Sequence, residues 1–186
     1  HYDGSLDSAI SNMLKAAELA GENKYLKQAA LSNAADLCLH KGDLKKAFSL
    51  YKSSINIDGA DMHSISGIAW LALVHDKKDT LAENIFRFVQ KNTQSPDVLL
   101  KLMQVAEFRG DSITQRQYAE EFISIATKQH YGNMYNKYLI DLYTGIINEP
   151  AKAVALAEKE LIDRANPQTY AWYVWSICKL LIADRY

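Results

Sequence analysis

The chain has 186 residues, 48% of them hydrophobic, and its 21 basic and 22 acidic side chains leave a net charge of −1. That length fits one ordinary domain or one short array of repeats, and the apolar fraction excludes a disordered segment. Three prolines and eight glycines are too few for the turns of an all-β protein, and no Lys/Arg run exceeds two. No stretch reaches the ~18 apolar residues of a spanning helix, so neither nucleic acid binding nor membrane insertion is expected.

Ala, Leu and Lys are the commonest residues, and these, like Glu and Gln, lose little rotamer freedom in a helix. The pattern predicts ten helices, over 6–20, 24–41, 43–57, 61–75, 78–93, 96–109, 112–129, 133–144, 149–164 and 167–183. Asp61, Ser95-Pro96 and Asn166-Pro167 open helices, with each proline at a first-turn position where a missing N–H costs nothing. Gly21, Gly42, Gly59, Gly110 and Gly132 fall at helix ends, where a left-handed residue is accommodated.

A period of 34 runs through these elements. Gly42-Asp43 is echoed by Gly110-Asp111, twice 34 residues on, with Asp76-Lys77 between and Thr144-Gly145 beyond. Before the turns, Leu31, Ala34, Ala35 and Cys38 form an i, i+3, i+4, i+7 stripe. Two further steps of 34 give Ile65, Ile68, Ala69, Ala72 and then Leu99, Leu102, Met103, Ala106. Behind the turns come Ala47, Leu50, Tyr51, Ile55, and Ala82, Ile85, Phe86, Val89.

The second repeat carries one extra residue between Ala69 and Ala82. In the third, the stripe runs through Tyr118, Ala119, Phe122 and Ala126, although strict register favours Gln115. In the fourth, strict register would bury Asn133, Asn136 and Lys137, so a two-residue slip burying Tyr135, Tyr138, Leu139 and Leu142 is expected.

A helix pair of this length with a central turn resembles the tetratricopeptide repeat, through Ala35, Ala69, Gly42, the Ala47/Tyr51/Ser54 triplet and Ala82/Phe86/Val89. The tail "KAVALAEKELIDRANPQTYAWYVWSI" is similar to a segment common in bacterial tetratricopeptide proteins. The resemblance implies an all-α, right-handed superhelix of helix pairs, one repeat domain over residues 1–186. Its parts would be a second helix at 6–20, repeats at 24–57, 61–93, 96–129 and 133–164, and a first helix at 167–183. With a turn at Gly4 and another near the end, the array reads as part of a longer protein.

Chemistry-bearing patterns are sparse. There is no Gly-rich phosphate loop, no nucleophile elbow, and no i, i+4 pairing among His40, His63, His75 and His130. His40 and His75 sit near helix C-termini, where the dipole favours them. Glu120-Glu121 and Glu158/Glu160 are expected on solvent faces. Cys38 and Cys178 are expected as small hydrophobes, unbridged. Neither an enzyme nor a cofactor or metal is expected.

Binding is the remaining class. Stacked pairs present a concave surface lined by first helices, where the flanking positions include Asp36, Trp70, Leu73, Gln104 and Phe108. These are the expected partner-binding residues, with Trp70 and Phe108 as aromatic anchors for a protein or peptide. The Lys/Asn clamp by which some such modules hold a C-terminal carboxylate is missing, since Ser32, Asp36, Ser66 and Trp70 occupy its places. An architectural spacer, or an accessory domain of an enzyme, is the alternative role. In "YAWYVWSI", Trp172, Tyr173 and Trp175 point around the helix. That exposure is explained by a further helix, or by self-association through Trp172 and Trp175.

Overall fold

The computed structural model describes residues 5–128, 131–183 and 185. Gly4, Gln129, His130, Asp184 and Tyr186, on which the expected first and last turns partly rest, lie outside them. Among the described residues there are ten α-helices and no strand: α1 Leu6–Leu19, α2 Lys24–Lys41, α3 Leu44–Ile57, α4 Met62–Val74, α5 Asp79–Asn92, α6 Asp97–Phe108, α7 Ser112–Lys128, α8 Asn136–Thr144, α9 Pro150–Arg164 and α10 Pro167–Ala183. They form two compact units, residues 1–98 and 99–186.

In the first unit each helix packs on the next, α1 through α5, and α2 also touches α4. None of the twelve stripe positions on α2, α4 and α6 is exposed, and Ala34, Ala35, Cys38 and Ala69 are fully buried. Small residues there let paired helices approach closely, so the larger Tyr51 and Phe86 of the second helices fill the space between. In the second unit α8, α9 and α10 pack consecutively, around a core that includes Leu99, Phe122, Tyr135, Ile140, Ala153 and Ala157. Phe122 meets Tyr135 edge-on at 5.3 Å.

The four intra-pair turns share one device: a residue at positive φ follows the first helix, and the next N–H bonds back to that helix. At Gly42 and Gly110 the bond spans five residues, Asp43 N–H to Cys38 and Asp111 N–H to Ala106, both 2.9 Å. At Lys77 and Asn148 it spans six, Lys78 N–H to Ala72 and Glu149 N–H to Tyr143, both 2.8 Å. The extra residue of the second repeat therefore lies in its turn, and the fourth repeat carries the same insertion. Its left-handed residue is Asn148, three residues after Gly145, which has φ −108°.

This shift re-registers α8. The buried stripe is Asn136, Leu139, Ile140 and Tyr143, and the expected Tyr138 is exposed while Tyr135 and Leu142 are buried as expected. Asn136 tolerates burial because its Nδ2 donates to Oε1 of Glu160 at 2.5 Å. Glu160, expected on a solvent face, is 0% exposed, and its Oε2 accepts from Arg164 Nε at 2.5 Å. Cys38 is buried and Cys178 is exposed, and both are free thiols.

Candidate functional site

The most structured polar cluster joins three helices of the first unit. Asp36 stands on α2, Tyr51 on α3 and His63 in the first turns of α4. The buried Tyr51 hydroxyl donates to Asp36 Oδ1 at 2.5 Å, and His63 Nε2 lies 2.8 Å from Asp36 Oδ2. Burial pushes the Asp36 carboxyl upward, but the hydrogen bonds from His63 and Tyr51 outweigh it and hold it below the usual carboxylate range. The bond to Asp36 raises His63 above the ordinary imidazole value, while burial and then Asp36 drive the Tyr51 phenol well upward.

Two features place these groups. Asp61 caps α4, accepting from the Ser64 N–H at 3.1 Å and the fully buried Ser54 hydroxyl at 2.7 Å, which pins the start of α4 to α3. Burial raises the Asp61 carboxyl, but hydrogen bonds from Ser64, Ser54 and Gln28 lower it further, so the cap stays ionised. One turn on, Gly67 leaves room for the Tyr51 ring. A Cβ there would lie 2.4 Å from its Cζ.

Both Asp36 oxygens are engaged and Tyr51 is buried, so the group presented outward is the His63 ring, whose side chain is 60% exposed. Its Nδ1 is the nitrogen left to meet a ligand. Trp70 follows at i+7 on the same face of α4, partly buried.

Of the five residues expected from the sequence, Asp36 and Trp70 fall on this surface. Asp36 acts as the group that orients His63, which sequence reasoning passed over because no i, i+4 partner marked it. Leu73 is corrected: at 2% exposure it belongs to the core and offers no side-chain surface to a partner. Gln104 and Phe108 stand one turn apart on α6 in the second unit. Phe108 is 47% exposed, and the Gln104 Oε1 is buried without a hydrogen-bond partner among the described residues.

A separate apolar groove of about 360 Å³ runs between α3, α4 and α5, lined by Ile55, Ile65, Ile68, Asn84, Ile85 and Phe88. Among the described residues no three His, Cys, Asp or Glu side chains gather as metal ligands, and no helix is long and apolar enough to cross a membrane. The chain is thus an all-α protein built of helix pairs. No family model matches it, and no curated protein matches it.

Proposed function

We propose that the chain is a tetratricopeptide-like, non-catalytic interaction module, of the type common in bacteria, that binds a peptide or partner protein on the surface shared by α2 and α4. One observation supports this reading: Asp36 fixes the exposed His63 ring at 2.8 Å on the helix face that also bears the partly buried Trp70. The helix pairs of period 34 or 35, with small residues at their close contacts, support the family part of the reading.

The test is selection of peptides from a displayed library on the purified chain, followed by calorimetric titration of the recovered sequences. Trp70→Ala is expected to weaken binding by about tenfold or more, the scale of a truncated aromatic anchor. His63→Ala removes the donor and weakens it further for peptides carrying a carboxylate. Undiminished affinity in a folded Trp70→Ala variant overturns the proposal.

A further inference from the structure

The last helix of the second unit carries an unpartnered face. Ala171, Val174, Trp175, Cys178, Leu181 and Ile182 on α10 are all exposed and all apolar, and their spacing lines them along one side. Its opposite side is well packed: Thr169 and Ser176 are buried, and Trp172 and Tyr173 pack against the core of the unit. Trp172 is partly buried against that core, whereas Trp175 is anchored at its edge by Nε1 donating to Thr144 Oγ1 at 3.2 Å and is half exposed. The one charged residue within α10, Lys179, lies over that ring at 4.8 Å.

We infer that a second copy of this chain covers this face, through antiparallel pairing of the two α10 helices. The stripe is symmetric about Cys178: Trp175 and Leu181 lie three residues to either side, Val174 and Ile182 four. With Cys178 at a two-fold axis, Trp175 of one copy faces Leu181 of the other, and Val174 faces Ile182. The small thiol at the centre lets the helices approach to the ~8–10 Å of packed pairs, and an isologous two-fold contact needs such self-complementarity.

The area agrees with a weak dimer. Val174, Trp175, Leu181 and Ile182 are each more than half exposed. With a Trp side chain at ~150–250 Å² and the aliphatic ones at less, the uncovered stripe amounts to roughly 400–500 Å² per copy, so a pair buries about 800–1,000 Å², the range of a weak, transient contact. A lipid surface fits less well, because interfacial helices carry a basic polar face and α10 has Lys179 alone.

Sedimentation velocity of the 186-residue chain tests this. The mass is expected to rise from 21.0 kDa toward twice that value between roughly 1 and 500 µM, a micromolar association. Leu181→Lys should weaken it at least ~10-fold with an unchanged circular dichroism melt. Diamide, which takes up the two hydrogens of two thiols, should link Cys178 to Cys178 across the dimer, leaving the buried Cys38 unreacted. A chain that stays at 21.0 kDa throughout overturns the inference, whether or not it floats with phosphatidylserine vesicles. A dimer indifferent to Leu181→Lys, or one that does not cross-link through Cys178, overturns it equally. Neither result bears on peptide binding at α2 and α4.

Discussion

Gly67→Ala should destabilise the protein, against the usual effect of that change in a helix. Mid-helix, alanine is favoured over glycine by ~1 kcal/mol. Here the new methyl would sit 2.4 Å from Cζ and 2.6 Å from both Cε atoms of Tyr51, more than an ångström inside the ~3.5–4.0 Å of a carbon–carbon contact. The ring has nowhere to go. Tyr51 is buried, its neighbours Ala47 and Ser54 on α3 are fully buried, and its hydroxyl is held by Asp36.

Overpacking of this kind costs ~1–3 kcal/mol, and displacing the hydroxyl from a carboxylate adds ~1.5–3 kcal/mol. With the helix gain subtracted, the net loss is about 1.5–5 kcal/mol, a fall in Tm of roughly 3–20 °C for a chain of this size. Urea and thermal unfolding followed by circular dichroism measure it. In a Tyr51→Leu background the same substitution should be neutral or stabilising, because the ring it strikes is gone. Equal or raised stability of Gly67→Ala alone, or the same loss in both backgrounds, refutes the reasoning.

Asn136→Ala leaves the buried Oε1 of Glu160 without its donor, with Arg164 still on Oε2, and should cost ~1–3 kcal/mol, whereas Asn133→Ala, which breaks an exposed bond to Asp163, should stay within ~0.5 kcal/mol. Both are read from urea midpoints. The raised pKa of His63 means that its stabilisation is complete below its ordinary value of 6.5 and is lost as pH rises through the folded value. Asp36, held below 3.8, contributes above that pH and loses its contribution as pH falls through its own folded value. The unfolding midpoint should therefore drop as pH rises above about 6.5, and His63→Gln should remove that component. In the native protein a maleimide should label Cys178 and spare Cys38, whose thiol burial also pushes up. Labelling of both thiols at equal rates would contradict the packing of α2.

The helices and most of the core were legible in the sequence because both follow from periodicity. Leu31, Ala34, Ala35 and Cys38, repeated at 34, mark a face that pairs with a second helix wherever it recurs. What escaped was whatever depends on contacts between elements. Gly67 reads as a poor helix residue until the Tyr51 ring lies against it. Asn136 and Glu160 each read as surface residues, since either alone is costly to bury, and only their meeting across α8 and α9 makes burial tolerable. The turn after α8 was placed, but that Asn148 takes the left-handed conformation in it, as Lys77 does after α4, was not, because neither residue is glycine.

The same division holds at the candidate site. Asp36 and Trp70 could be placed on first-helix flanks by register alone. Leu73 could not be told from them, because it lies beyond the stripe by a rotation that only packing fixes. His63 carried no local signal, since its partner stands 27 residues away on another helix.

The most direct test of binding at α2 and α4 is a ¹H–¹⁵N NMR titration of the labelled chain with a selected peptide. The Trp70 indole N–H and the amides of Asp36 and His63 should show the largest shifts, saturating together. Perturbations gathered instead around Ile55, Ile65 and Phe88, with the Trp70 indole unmoved, would place binding in the apolar groove of α3 to α5 and contradict this account.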